Sequence, residues 1–537
     1  MIKIINNTKS SISYIALIVS VAILFLPLSS VKATTLSTGM EASYVLGEPD
    51  FTSVMQVGGI ADMIFPLATT YDATNDRLFA LDFMGGPVRV LVYDLSAGIT
   101  NGMPASYVIG QADFNAGATG TTAGTFNAFA LDLEYDSGND RLFVSDYYNH
   151  RVLVYNLSGG ITNGMNASNV LGQANLTSGS EIFPVSTSTV GYPTGLAYDE
   201  GNDYLFVGNG AYARVMAFDL SGGITDNMDA SWIIGQESAT TTGGVLDQDG
   251  LLSPQYMDYD QVNDRLFVVS DVQNRVLVYD MSGGVSTGMD ASYVIGQEDF
   301  TSDSDALDAD SLISASAVTY DSTNDRLFVS DTGGNRVLSY DLASISNGMD
   351  ASYVLGQTDF TSNSTSTTSS TFSAPYNVDY DSTNKYLFTT ETGNSRVLIF
   401  DLSATVSSSS STGRGYIHPP LCEATITPNT ITAGEEATLS WNTNWPTENQ
   451  NTYYSKVPGE GLYSSSVNSI SIQPEHTTTY RLATFNLWGA NFCEATVEVL
   501  DENGEELTSN NNSRLTAGVS NSPFARAIVS FFSKIFA

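Results

Sequence analysis

The sequence predicts an all-β protein: a six-bladed β-propeller whose last blade is completed by an N-terminal strand, followed by a small β-sandwich. Three observations carry this. The phrase N-D-R-L-F-V-S-D, followed within a few residues by R-V-L-V-Y-D, recurs six times, anchored at Asn75, Asn139, Asn202, Asn263, Asn324 and Asn384. The spacings are 64, 63, 61, 61 and 60 residues. Each repeat reads as four short strands without helical periodicity between them. The segment S-Y-V-[IL]-G, or a variant, starts at Ser43 before the first repeat and again at Ser106, Ser168, Ser231, Ser292 and Ser352, with none after the sixth.

Residues 1–33 come first. Lys3 and Lys9 precede the apolar run 12–28, and Val31-Lys32-Ala33 ends it. A basic region, an apolar stretch and a small-residue ending describe a secretory signal peptide, so the body of the protein is expected outside the cytoplasm, secreted or in the cell envelope. The formal net charge is −38. Such a field repels nucleic acid and anionic lipid, which excludes a nucleic-acid partner.

The propeller is expected over 42–405. In the second copy the strands are 131–136, 141–146, 151–157 and 168–173, bounded by Asn, Asp and Gly clusters that mark hairpin turns. A unit of this length cannot bury its own apolar faces and must stack against copies of itself. The sixth copy ends at its third strand, 396–402, and then dissolves into serine. The strand at 43–47 is therefore expected to pair beside 396–401, which closes the ring and removes the exposed sheet edges.

The copies resemble the NHL-repeat family, in which an apolar strand ends in V-x-D and N-x-R-V follows. Here these are Val144-Ser145-Asp146 with Asn149-His150-Arg151, Val269-Ser270-Asp271 with Asn274-Arg275, and Val329-Ser330-Asp331 with Asn335-Arg336. Asn209 in the third copy and Glu391 in the sixth depart from the pattern, and the first has Asp82 and Arg89 in an expanded loop. Some six-bladed relatives of this kind are enzymes. The peptidyl-amidoglycolate lyases would imply a zinc held by channel histidines, but the propeller contains one histidine, His150, and no cysteine.

A residue present in every blade serves the blade, whereas one present in a single blade serves the protein. The Asp closing the second strand (Asp82, Asp146, Asp271, Asp331) is expected to face the Arg opening the third (Arg89, Arg151, Arg275, Arg336) as a structural pair. The shared Tyr-Asp-x-x-Asn-Asp turns read as turn chemistry. The variable segments are the loops between second and third strands and the long connections into each next blade, and alternation of strand direction puts both on one face. Variable loops on a rigid scaffold are where binding resides. Phe83, Tyr147, Tyr148, His150 and Tyr212 are the candidate contacts there for a protein or glycan ligand, the other reading being burial under neighbouring loops.

In the innermost strands, alternate blades carry an acid before the terminal Tyr: Glu134, Asp258 and Asp379. Oxygen ligands with net negative charge suit Ca²⁺. The other reading, which the residues favour, is a solvated channel with each acid bonded to nearby backbone. No phosphate loop or metal-spaced His pair is present. The chain is thus expected to be a binding scaffold and not an enzyme, the alternative being a calcium-dependent hydrolase or lyase working through the channel acids.

Residues 406–420 form a Ser-rich linker. Residues 421–500 then alternate in short strands at 424–427, 437–442, 469–473, 479–485 and 495–500. With Thr425-Ile426-Thr427-Pro428 and Ala433-Gly434-Glu435-Glu436-Ala437-Thr438-Leu439-Ser440-Trp441, this segment resembles the immunoglobulin-like modules of bacterial surface proteins. Cys422 precedes its first strand and Cys493 its last; in an exported protein they are expected to form a disulfide. After a polar linker (501–522), Phe524, Ile528, Phe531, Phe532, Ile535 and Phe536 recur at helical spacing, with Arg526 and Lys534 on the opposite arc. An amphipathic helix over 523–537 follows, too short to span a bilayer and suited to a membrane surface, a partner or the protein itself.

Overall fold

The computed structural model describes residues 36–54, 59–403, 423–428, 430–442, 454–457, 461–464, 469–486 and 489–501. The expected signal peptide, Ser-rich linker, C-terminal helix and Cys422 lie outside these residues. The chain divides into two compact units, 1–407 and 408–537. Among the described residues no helix is long and apolar enough to cross a membrane.

The first unit is a β-propeller of six four-stranded antiparallel sheets. Its inner strands are Pro66–Asp72, Leu133–Asp136, Pro193–Asp199, Pro254–Asp260, Ala315–Asp321 and Pro375–Asp381. Each inner strand touches those of the two flanking sheets, and the sixth touches the first, which closes the ring. The sixth sheet runs Pro375–Asp381, Tyr386–Glu391, Arg396–Asp401 and then Tyr44–Leu46 from the start of the chain. Its register is Tyr44 opposite Ile399, Val45 opposite Leu398 and Leu46 opposite Val397.

The strands carry apolar residues on both faces because each sheet is sandwiched between two others. In the second strand Arg141–Asp146, for example, all residues after Arg141 are buried. Aromatic pairs staple neighbouring sheets along the bore: Phe79 stacks on Tyr135 at 5.8 Å, Phe206 on Tyr259 at 5.7 Å and Phe267 on Tyr320 at 5.9 Å.

The repeated turn is built as its sequence implies. Asp136 accepts hydrogen bonds from the Asn139 backbone N–H (3.1 Å) and side chain (3.0 Å), and Arg141 donates to it. The same Arg reaches the next sheet, Arg77 to Asp140 at 3.1 Å and Arg141 to Asp203 at 2.7 Å. On the opposite face the pairs Asp82–Arg89 (2.9 Å), Asp146–Arg151 (2.7 Å), Asp331–Arg336 (2.7 Å) and Glu391–Arg396 are wholly buried. Each of these arginines also donates to loop carbonyls, as Arg151 does to Leu176 (2.6 Å) and Thr122 (3.0 Å). They are the posts that hold the variable connections in place.

The second unit contains a three-stranded sheet of Glu423–Thr427, Ala437–Asn442 and Ser469–Ile472. Its five-stranded sheet contains Thr430–Thr432, Gly489–Leu500, Thr478–Asn486, Tyr454–Val457 and Gly461–Ser464. Ile426, Leu439 and Ile472 from the first sheet are buried, as are Ile431, Val497 and Val499 from the second.

Candidate functional site

A cavity of about 470 Å³ opens at the end of the bore where the inner strands begin, on the face that carries the variable loops. Its two sides differ in chemistry. One is aromatic, formed by Phe129, Tyr147, Tyr148 and Tyr192, with Tyr376 entering from the sixth sheet. The rings brace one another: Phe129 meets Tyr147 edge-on at 5.8 Å, Tyr147 meets Tyr148 at 5.0 Å and Tyr192 at 5.1 Å. The other side carries Thr194, Ser253 and Gln255.

The residue just before each inner segment, counted in the second sheet from Ala130, the repeat counterpart of Pro66, builds much of this asymmetry. Around the ring it is Phe65, Phe129, Tyr192, Ser253, Ser314 and Ala374, so three consecutive sheets supply rings and three supply small side chains. Four of these residues adopt φ near +50°: Tyr192 (52°), Ser253 (51°), Ser314 (51°) and Ala374 (50°). Left-handed backbone is costly for a bulky side chain, and Tyr192 is the bulky one. His150 holds it there. The Nδ1 of His150 accepts the Tyr192 backbone N–H at 3.3 Å, and the two rings meet edge-on at 4.3 Å. Burial holds the His150 pKa below its ordinary value, keeping the imidazole neutral and able to accept.

The polar side is organised by Asp271. Ser253 and Gln255 flank its carboxyl and favour its ionised form, the Val272 N–H donates to it at 2.7 Å, and Gln255 Nε2 donates to Ser253 Oγ at 2.9 Å. Burial raises the Asp271 pKa. Burial first, and the Asp271 charge second, push the Tyr376 phenol up to about 12. Among the described residues lining the cavity there is no Lys, Arg or His.

This place for Asp271 corrects the expected pairing with Arg275. Ser270 lies opposite Arg275 in the hairpin, and Asp271 follows one residue later. The strand Arg265–Ser270 has the extra apolar residue Val269, which moves the acid out of the sheet to the position held by Tyr147 in the second sheet. Arg275 then donates to Gln273 Oε1 at 3.2 and 3.0 Å instead of to a carboxylate. Around the ring this position holds Phe83, Tyr147, Gly210, Asp271, Thr332 and Thr392: one acid in six.

Of the sequence-expected contacts, Tyr147 and Tyr148 line the cavity. Phe83 packs behind, meeting Phe129 edge-on at 5.5 Å. His150 is buried and positions Tyr192. Tyr212 is buried too, with its hydroxyl donating to Glu181 Oε1 at 3.0 Å and its ring against Phe183, and does not line the cavity. The sequence reading did not single out Phe129, Tyr192, Ser253, Gln255 or Tyr376. Comparing the residue before each inner segment across the six copies would have exposed the first three.

Deeper in the bore, Glu134, Asp258 and Asp379 do converge, with Asp132, on a second chamber of about 30 Å³. Two of these acids bond backbone on the adjoining sheet. Asp132 accepts from Leu133 N (2.8 Å) and Leu196 N (2.7 Å), and Asp258 from Tyr259 N (2.7 Å) and Tyr320 N (2.6 Å). Among the described residues no group of three or more His, Cys, Asp or Glu is arranged to hold a metal ion. The donor set therefore does not fit the Ca²⁺ expectation for Glu134, Asp258 and Asp379.

Burial raises the pKa of all four acids, Asp258 to about 6. Repulsion from Asp258, Asp132 and Asp379 adds to the shift at Glu134. A raised folded-state pKa contributes stability that is full below the unfolded value and lost as pH rises through the folded one. Wild-type stability should therefore decline between about pH 4 and neutrality through this cluster. Glu134→Gln should raise stability at pH 8 more than at pH 5 and flatten that decline. Urea midpoints at pH 5 and pH 8 check this, and no gain at pH 8 contradicts it.

No protein-family model and no curated protein matches the chain. Solved structures that resemble it include an auxiliary nutrient binding protein from Bacteroides ovatus, at 12% identity over 67% of this chain and 76% of that one, with a TM-score of 0.42. A protein so described from Bacteroides thetaiotaomicron gives 13% identity, 66% and 75% coverage and a TM-score of 0.41. The Cps50 (Swd1) β-propeller domain of Myceliophteria thermophila gives 10%, 65% and 99%, and 0.38. At these identities and TM-scores the likenesses carry no argument about what this chain binds.

Proposed function

We propose that this protein is an exported, non-catalytic binding protein with an NHL-type propeller whose cavity takes an uncharged, hydroxyl-rich ligand, namely a glycan. The observation that carries this is the two-sided cavity, with four braced rings on one side and Thr194, Ser253 and Gln255, the last two backed by Asp271, on the other. A pyranose presents C–H faces to rings and hydroxyls to acceptors, and small-ligand sites combine an apolar lining with a few placed polar groups. The lining offers no cation to a carboxylate or phosphate. A cavity of about 470 Å³ falls within the roughly 300–1,000 Å³ of small-ligand pockets. The immunoglobulin-like module, pinned by a Cys422–Cys493 disulfide, serves as a spacer, and the helix at 523–537 as a contact to an envelope surface.

Calorimetric titration of the full chain with neutral oligosaccharides and their uronic-acid counterparts tests the reading. Neutral sugars should bind, and Tyr147→Ala or Asp271→Ala should weaken binding about tenfold or more at unchanged melting temperature. Binding of uronic-acid sugars alone, or binding indifferent to both substitutions, contradicts it.

A further inference from the structure

We infer that the cavity is closed at its inner end and therefore takes the terminal unit of a glycan chain, not an internal stretch; this rests on the glycan reading above. The stopper is Tyr256. It is the third residue of the inner strand Pro254–Asp260 and is 2% exposed. Its hydroxyl lies 2.8 Å from the Leu67 carbonyl oxygen and 2.5 Å from that of Leu131. Those carbonyls belong to the first and second sheets, so a side chain from the fourth sheet crosses the bore. Tyr376, from the sixth sheet, meets its ring edge-on at 5.8 Å and 89°.

Tyr256 is the one third-position residue able to reach across. Its counterparts are Ala68, Asp132, Gly195, Ala317 and Asn377, all shorter. Gly195 gives it room: a Cβ there would sit 2.0 Å from the Gln255 carbonyl oxygen and 2.5 Å from the Tyr256 Cα. A larger residue would push the fourth inner strand away and withdraw the bar. Burial keeps the Tyr256 phenol far above its ordinary pKa, so the hydroxyl remains a donor at any physiological pH.

The bar separates two spaces of different chemistry. On the loop side lies the aromatic cavity, with Leu131, Gln255 and Tyr376, all adjoining the bar, in its lining. Beyond it lies the small acidic chamber, which Tyr256 itself lines. A polymer threading the bore would have to displace the Tyr256 hydroxyl from between the two carbonyls and then enter a chamber of about 30 Å³ crowded with carboxyls. A chain end can enter, stack on Tyr147 and Tyr192, and leave by the mouth past the half-exposed Tyr148.

The test titrates the full chain with cello-, manno- and malto-oligosaccharides of two to six units. Each is used free, reduced to the alditol, and blocked at the non-reducing end by a benzylidene group. For the series that binds, affinity should level off after the second unit, and blocking one terminus should lower it at least about tenfold. Affinity that climbs to six units and ignores both end modifications overturns the inference and leaves the glycan reading standing. Failure of every series overturns both. Tyr256→Ala should bring the blocked sugar back to within about threefold of the free one, whereas Tyr256→Phe should not. If the alanine variant does not fold, the length and end-blocking comparisons decide alone.

Discussion

Arg151→Ala should destabilise the propeller by about 3–5 kcal/mol, read as a fall in urea midpoint. Arg151 is fully buried, donates to Asp146 at 2.7 Å and satisfies the carbonyls of Leu176, Thr122 and Thr125 at 2.6, 3.0 and 3.2 Å. Truncation leaves an unpaired buried carboxylate and three unmet acceptors, and unpaired buried charge is the costliest of these. Burial already raises the Asp146 pKa with the arginine present. Adding Asp146→Ala should therefore recover part of the loss, because the two residues act as one unit. A loss below about 1 kcal/mol, or strict additivity of the two changes, would show that the buried pairs do not anchor the loop face.

Val45→Asp should cost more than about 4 kcal/mol and yield aggregated protein. Val45 is fully buried and pairs with Leu398, and its strand covers the outer edge of Arg396–Asp401. A charge at that point leaves the closing strand no stable seat. Its departure bares the backbone edge of the sixth sheet, a template for pairing with other chains. Size-exclusion chromatography and thermal melting of Val45→Asp beside the surface control Glu41→Ala check this. A monomeric variant melting within a few degrees of wild type contradicts closure by the N-terminal strand.

Repetition made the fold legible and concealed much of the site. The turn residues Asp136 and Asn139 recur in all six sheets and Arg141 in four of them, and so the sequence located the strands directly. The seat of Tyr44–Leu46 followed from counting strands: one unused segment before the first hairpin and one missing after the last. The cavity depends on what the repeat does not share. Phe129 and Tyr192 keep the spacing of the repeat, but the residue type at that position changes from sheet to sheet, so no shared motif marks them. The reach of Tyr256 to Leu67 and Leu131 spans 189 and 125 residues, beyond any local pattern. Asp271 was visible but misread, since V-S-D matched the motif while the count from Arg265 puts Ser270, not the acid, opposite Arg275. The sequence put Glu134, Asp258 and Asp379 in the bore, but the bond of Asp258 to the Tyr320 N–H, and that of the neighbouring Asp132 to the Leu196 N–H, depend on packing between sheets.

The most direct test is saturation-transfer difference NMR of the full chain with neutral oligosaccharides, beside a Tyr147→Ala/Asp271→Ala double variant. Ring-proton saturation should pass to sugar C–H protons in the wild type and vanish in the double variant, with both proteins melting at the same temperature. Transfer that persists in the double variant, or that is absent with every sugar in the wild type, would contradict binding in the aromatic cavity.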